Sequence, residues 1–133
     1  MINEEFEQVK EFHKAFNCPY RETPGFLSGG DVKRRAGFMR EEIQEFTTAE
    51  NVYDQADAMI DLIYFALGTL VEMGVAPDEI FDIVHEANMA KKLSDGGVLL
   101  REGSRKILKP PGWEDPEPKI RAAIDKLGHM PNV

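Results

Sequence analysis

A long apolar segment that contains aspartates constrains this chain more than any other feature. Residues 52–73 read VYDQADAMIDLIYFALGTLVEM, which makes about six helical turns and is apolar on nearly all sides from Ala56 onward. Such a helix usually lies at the centre of a bundle or in a subunit interface. Asp54, Asp57 and Asp61 nevertheless fall within about 60° on a helical wheel. Because an unpaired carboxylate in apolar surroundings costs several kcal/mol, this stripe needs a partner.

A second acidic stripe lies on the segment before it. Glu41, Glu42 and Glu45 fall within about 100° of one another on a helical wheel, so they share one helix face. Carboxylates on two neighbouring antiparallel helices repel each other. Basic residues on the helix of these glutamates can neutralise part of this charge, namely Lys33, Arg34, Arg35 and Arg40. However, Arg34 and Arg35 lie about two turns before the glutamates, and residues 52–73 contain no lysine or arginine. The two stripes therefore require a further source of positive charge.

A divalent cation is the most economical source of that charge. The candidate ligands are all carboxylate oxygens, with no cysteine or histidine nearby, and this donor set favours Mg²⁺ or Mn²⁺ over Zn²⁺ or iron. An acidic run on a helix is more often a solvated face, and that alternative applies to the glutamates taken alone. It applies much less to Asp57 and Asp61, because their neighbours are apolar. The sequence therefore favours a metal site.

The rest of the chain predicts further helices and an irregular end. Helical spacing predicts four helices, over residues 3–17, 31–47, 52–73 and 77–93. Asp31 is predicted to cap the second helix, Gly74 to end the third and Pro77 to begin the fourth. Short apolar runs at 98–100 and 107–108 predict a small hairpin or an extended arm, and residues 117–127 predict a short last helix. Short connections favour antiparallel neighbours. We therefore expect an all-α fold, a four-helix bundle over about residues 3–93 with a C-terminal arm over 94–133, forming one domain over 1–133.

Composition limits the classes of partner. With a net charge of −8, the chain is a poor match for duplex nucleic acid. It has one cysteine and therefore no internal disulfide, which fits a reducing compartment. The start of the sequence is acidic without an apolar signal region, and no run is apolar enough to span a membrane. We expect a cytoplasmic protein with no nucleic-acid or membrane partner.

The order of the motifs resembles that of a known superfamily. Glu41-Glu42-x-x-Glu45 followed by Asp54-x-x-Asp57 resembles the EExxE…ExxD motifs of the all-α nucleoside triphosphate (NTP) pyrophosphohydrolases, which include MazG, dimeric dUTPases and phosphoribosyl-ATP pyrophosphohydrolase. Matches at Asp57-x-x-x-Asp61, His85-x-x-Asn88-Met89-x-Lys91 and the tail 106–113 are most similar to small bacterial and phage MazG-like proteins. The chain departs from the family in having Asp54 in place of a glutamate and a shorter spacing after Glu45.

The resemblance implies an enzyme and a set of site residues. The reaction would be (d)NTP + H₂O → (d)NMP + diphosphate, by attack of water on the α-phosphorus. By resemblance, Glu42, Glu45 and Asp57 bind two or more Mg²⁺ or Mn²⁺ ions, and Asp54 and Asp61 are further ligands. We expect Asp61 to replace Asp54 if the Asp54 side chain is too short to reach the metal. The resemblance also implies that Glu41 and Glu42 act in catalysis. The expected substrate-binding residues are His85, Asn88, Lys91, Lys92, Lys106, Lys109 and Trp113.

Several alternatives remain open at this point. The lysines near the end of the fourth helix can simply complement its dipole, and Trp113 can pack in place of stacking on a base. A purine dNTP is the favoured substrate, with a dUTP diphosphatase as the alternative, whereas the tail differs from that of phosphoribosyl-ATP enzymes. A non-catalytic nucleotide-binding regulator and a structural oligomer with an acidic docking face are the competing classes. Because the helix over residues 52–73 is apolar on nearly all sides, we expect part of it to be buried in a homodimer or a dimer of dimers.

Overall fold

The computed structural model describes residues 1–128 and contains five helices in that range. They are α1 (Asn3–Ala15), α2 (Gly29–Thr48), α3 (Val52–Met73), α4 (Asp78–Met89) and α5 (Glu117–Gly128). Residues 1–128 contain no strand beyond one isolated bridge, so the prediction of an all-α fold is confirmed. The predicted arm ends in residues 129–133, which lie outside the described part of the chain. No single helix within residues 1–128 is long and apolar enough to cross a membrane; only α3 and α4 counted together meet that test of length and composition.

The described chain divides into two units, of which the first carries the acidic stripes. This unit comprises Met1–Pro77 with Leu127 and Gly128, and the second comprises Asp78–Lys126. In the first unit, α3 packs against both α1 and α2. Its small core consists of Phe6 and Val9 from α1 with Leu67 and Val71 from α3. A three-residue connection between α2 and α3 makes these two helices antiparallel neighbours.

The helix ends in the first unit follow side-chain chemistry, with one departure from the predictions. α2 begins at Gly29, so Ser28 occupies the cap position and its hydroxyl donates to the Asp31 carboxylate at 3.3 Å. The prediction that Asp31 is the cap is therefore wrong, because it lies inside the first turn. At the C-terminal end of α3, Gly74 has a φ of 72°, and a Cβ there would lie 2.3 Å from the Thr23 carbonyl oxygen. Only glycine fits this helix end.

The apolar surface of α3 is not fully covered in the single chain. Ile60 is 62% exposed and Ile63 is 51% exposed, and Asp57 beside them is also exposed. The prediction that the surroundings of this aspartate are buried is therefore wrong for one chain. The physical reason is that α1 and α2 cover only part of a helix that is apolar on nearly all sides.

The second unit contains α4, the arm and most of α5. Residues 99–108 form a hairpin-like turn, with an antiparallel bridge between Leu100 and Ile107 and a backbone hydrogen bond of 2.8 Å from Leu108 to Leu99. The prediction of a small hairpin is thus confirmed. α4 ends at Met89, four residues earlier than predicted. The side chain of Trp113 attaches the arm to α4, since its Nε1–H donates to the Ala87 carbonyl at 2.7 Å.

Candidate metal centre

Three carboxylates from α2 and α3 converge in the first unit. Glu42 and Glu45 lie three residues apart on one face of α2, and Asp61 faces them from α3. One oxygen from each of the three lies within 4.8 Å of the others. Glu42 is only 8% exposed, Asp61 is half-buried and Glu45 is exposed. The group therefore runs from a buried carboxylate outward to solvent.

One oxygen of the buried Glu42 has no hydrogen-bond partner among the described residues. Among the described residues, Glu42 Oε2 is the one buried side-chain oxygen or nitrogen without a hydrogen bond. Burial, followed by hydrogen bonding to Glu45 and the negative charges of Glu45, Asp61 and Asp57, raises the pKa of Glu42 to about 7. Burial, with the charges of Asp57 and Glu45, also raises the pKa of Asp61. Within the described residues, the pKa values of Glu42 and Asp61 are thus shifted by burial and by acidic neighbours, and no basic side chain is among the causes.

This donor set fits a hard divalent cation. Mg²⁺ and Mn²⁺ prefer carboxylate oxygens, and the unpartnered Glu42 Oε2 is an oxygen that such an ion would satisfy. A bound cation would also remove the repulsion that raises the two pKa values. Among the described residues, this is the one group of three or more acidic, histidine or cysteine side chains close enough to share an ion.

The other predicted metal ligands lie beside this group and not within it. An open depression of about 380 Å³ is lined by Glu45, Thr48, Ala49, Glu50, Asn51, Asp54 and Asp57. Asp54 lies in the first turn of α3, where its amide donates to the Asn51 side chain at 2.9 Å and its carboxylate accepts from the Asn51 amide at 2.9 Å. These two bonds cap α3. A role in capping accounts for a short acidic side chain at position 54.

Glu41, the predicted catalytic residue, is exposed on α2. It directly precedes the buried Glu42, so its side chain leaves the helix about 100° around the axis from that of its neighbour. It is not one of the three carboxylates that converge. Its position suits a group that acts from the rim of the site more than a ligand at its centre.

The predicted substrate-binding residues all belong to the second unit. His85, Asn88, Lys92 and Lys106 have exposed side chains. The ammonium groups of Lys91 and Lys109 both lie over the ring of Trp113, at 5.4 and 5.1 Å from its centre. The structure therefore groups Lys91, Lys109 and Trp113 through cation–π contacts.

One buried charged cluster was missed by the sequence reasoning. Arg34 and Arg35 of α2 both form ion pairs with Glu72 of α3, which is 2% exposed. These arginines therefore pair with Glu72 and not with the converging carboxylates. The sequence did contain a signal for this cluster. Glu72 is a fourth acidic residue in this mostly apolar helix, and it lies eleven residues, about three turns, after Asp61 and therefore on the same face.

Comparison with known proteins identifies the family. A family model described as phosphoribosyl-ATP pyrophosphohydrolase matches residues 9–88, more than half of the chain. Among solved structures, the chain is similar to a candidate NTP pyrophosphohydrolase from Exiguobacterium sp. 255-15, with 28% identity over 91% of this chain and 94% of that one and a TM-score of 0.49. No curated protein matches. The chain belongs to the phosphoribosyl-ATP pyrophosphohydrolase family, within the all-α NTP pyrophosphohydrolase superfamily that its motifs resemble.

Proposed function

We propose that this protein is a metal-dependent nucleoside triphosphate pyrophosphohydrolase that converts a (d)NTP and water into a (d)NMP and diphosphate. The observation that carries the proposal is the convergence of Glu42, Glu45 and Asp61 around a buried oxygen without a partner. Family membership supports a hydrolase that acts on a phosphoric anhydride. Mg²⁺ or Mn²⁺, at two or more ions per site, is the proposed cofactor.

The roles of the residues follow from burial and position. Glu42 and Asp61 would hold the first ion, and Glu45, which belongs both to the converging group and to the neighbouring depression, would bridge toward Asp54 and Asp57. A bound divalent cation neutralises phosphate charge and lowers the pKa of water. Because Glu41 is exposed beside the buried Glu42, it can accept the proton of the attacking water.

The bond changes are those of an in-line displacement. The water oxygen forms a bond to the α-phosphorus, and the bond from that phosphorus to the bridging oxygen breaks. Diphosphate leaves with the electron pair, and the water proton passes to the Glu41 carboxylate. From the family resemblance we propose phosphate and ribose contacts for His85, Asn88, Lys92 and Lys106, with Lys91 and Lys109 held against Trp113.

A purine dNTP is the proposed substrate, with dUTP as the alternative. Both use the same phosphate machinery, so the base must be tested directly. The family is described by phosphoribosyl-ATP, and that compound therefore belongs in the same test.

A second copy of the chain is the proposed partner. The uncovered flank of α3 continues onto α1 through Phe12, whose ring lies 5.7 Å from that of Tyr64 and 4.6 Å from that of Phe16. Phe16 is 66% exposed and Ile60 62% exposed. An apolar patch of this kind is typical of an interface. We propose a homodimer or a dimer of dimers, which sedimentation equilibrium of the wild type and of Ile60→Lys would test.

The activity test uses a panel of nucleotides with each metal. The protein, freed of metal and then supplied with Mg²⁺ or Mn²⁺, is incubated with the eight common NTPs and dNTPs, dUTP and phosphoribosyl-ATP, and diphosphate release is measured. In ¹⁸O-labelled water, the label should enter the nucleoside monophosphate, because attack is at the α-phosphorus. Label in the diphosphate would place the attack at the β-phosphorus and contradict the mechanism.

Two outcomes would decide against the enzyme. Release of orthophosphate in place of diphosphate would exclude this reaction. Tight nucleotide binding with no turnover of any compound in the panel would favour the non-catalytic regulator.

A further inference from the structure

The carboxylates of the candidate metal centre come from two helices, so their spacing depends on how α2 and α3 are aligned along and around their axes. Glu42 is on α2 and Asp61 is on α3, yet their oxygens lie within 4.8 Å. A shift of one residue between the helices changes the axial offset by about 1.5 Å and the rotation by about 100°. Metal ligands tolerate far smaller changes than that. Something in the α2–α3 contact must therefore fix the alignment.

Arg35 is placed to do this. It precedes Glu42 by seven residues, or about two helical turns, and so lies on the same face of α2. Its guanidinium group is buried against α3, where Nη2 donates to the Phe65 carbonyl at 2.7 Å and Nε donates to the Thr69 hydroxyl at 3.1 Å. Nη1 lies 3.1 Å from the Glu72 carboxylate. One planar group thus contacts α3 at three points along two turns.

The helix that receives this group is shaped for it. Gly68 lies seven residues after Asp61, on the same face of α3. A Cβ at this position would lie 2.4 Å from Arg35 Nη2 and 2.9 Å from His13 Nε2. Both distances are far below van der Waals contact, so the guanidinium can reach the helix only because residue 68 has no side chain.

Two aromatic rings hold the plane of the guanidinium. Its central carbon lies 5.5 Å from the centre of the Phe38 ring and 5.6 Å from that of Phe65. Phe38 is on α2 and Phe65 is on α3, and their ring centres are 5.2 Å apart. Cation–π contacts of this type favour arginine over lysine, because a planar group can stack while it donates at its edge.

We infer that Arg35 is a positioning residue for the metal centre, because its three bonds to α3 and the space left by Gly68 fix the alignment of α2 that brings Glu42 to Asp61. This inference rests on the proposed function. It separates Arg35 from its neighbour Arg34, whose guanidinium donates to the side-chain carboxylates of Glu72 and Asp31. Arg34 is also 35% exposed, whereas Arg35 is 7% exposed.

The test compares Arg35→Lys with the matched control Arg34→Lys. Each variant keeps its positive charge and each removes one guanidinium from Glu72, but only the first loses the bonds to Phe65 and Thr69. Calorimetric titration of the metal-free protein with Mn²⁺ should show about tenfold weaker binding for Arg35→Lys and less than twofold for Arg34→Lys. Circular dichroism should show both variants to be helical. Equal effects of the two variants on Mn²⁺ affinity would overturn the inference.

A second variant covers the case in which Arg35→Lys does not fold. Thr69→Val keeps the shape of the side chain but removes the oxygen that Arg35 Nε bonds. It should weaken Mn²⁺ binding about threefold, in the same direction as Arg35→Lys. An unchanged affinity in folded Thr69→Val protein would contradict the positioning role.

A metal-free readout separates this inference from the proposed function. The ¹³C resonances of the Glu42 and Asp61 carboxyl groups are measured in the absence of metal. They should move in Arg35→Lys and stay in place in Arg34→Lys, because the charge is the same and only the helix alignment differs. If wild-type protein binds no Mn²⁺, the proposed function fails, and these resonances alone then decide whether Arg35 positions the carboxylates.

Discussion

Charged side chains occur in two layers along the contact between α2 and α3, about two helical turns apart on α2 and about three on α3. The two layers differ in their balance of charge. In one layer, Arg34 and Arg35 surround the buried carboxylate of Glu72. In the other, Glu42 and Asp61 approach each other with no cation from the described chain among them.

The difference separates a structural role from a binding role. A buried charge is tolerated when the protein supplies its partners, and every oxygen of Glu72 has an arginine. A buried carboxylate that the protein leaves without a partner, as at Glu42 Oε2, is stable only when protonated or when an external cation binds. The first layer is therefore complete in the isolated chain, and the second is built for a ligand.

Removal of Glu72 should have the largest effect, because it breaks the complete layer. Glu72→Ala leaves the buried guanidinium of Arg35 without its carboxylate, and breaking a buried pair of this kind costs about 3–5 kcal/mol. Urea denaturation at pH 7 measures the loss. As the control, Glu117→Ala removes an exposed pair with Arg121 at 3.0 Å and should cost less than about 1 kcal/mol. Equal losses in the two variants would mean that Glu72 has no special part in stability.

Neutralising the incomplete layer should have the opposite effect on stability. Glu42→Gln keeps the shape of the side chain but removes a charge that repels Asp61 and Glu45. The variant should lose at least about a hundredfold in kcat/KM for diphosphate release, while the Tm of the metal-free protein at pH 8 rises. Glu7→Gln, an exposed change on α1, should alter neither quantity. A fall in Tm for Glu42→Gln would show that the glutamate has a partner in the metal-free protein.

The two aspartates of α3 should differ in their effects on metal affinity. Asp61→Asn removes one of the converging carboxylates, and we expect about tenfold weaker Mn²⁺ binding by calorimetry. Asp57→Asn changes an exposed residue at the neighbouring depression, and about threefold weaker binding is expected. The reverse order would favour the ligand set that the family motif implies, in which Asp57 is the firmer ligand.

The pH dependence of the metal-free protein should be the smallest effect and should come from the incomplete layer. The pKa of Glu42 is raised from 4.5 to about 7 in the folded protein. Folded protein therefore binds more protons than unfolded protein between these values, so stability falls as the pH rises through 7. Calorimetric scans from pH 5 to pH 8.5 should show a declining Tm, whereas Mn²⁺ affinity should increase over the same range.

Glu42→Gln is again the control for this measurement, because it has no group to titrate at this position. Its Tm should vary less with pH than that of the wild type. Equal slopes in the two proteins would assign the pH dependence to other groups.

Local patterns account for what could be predicted. The spacing of apolar residues predicted the bounds of α3 correctly, and it predicted an end for α5 that is one residue before the observed one. Such predictions succeed because helical periodicity is a property of neighbouring residues. The acidic motif on α2 pointed to Glu42 and Glu45, which do converge. The start of α2 was placed two residues late, because Ser28 and Asp31 are both acceptable cap residues and only the folded chain selects between them.

By itself, the sequence determined the helices, the acidic stripes and the family. Only the tertiary structure decided that Asp61 and not Asp57 meets the two glutamates, and that Arg34 and Arg35 pair with Glu72. The physical reason is that a helical wheel gives the face of a residue on its own helix but not the alignment of one helix on the next. That alignment depends on contacts between distant residues, such as the fit of Arg35 over Gly68.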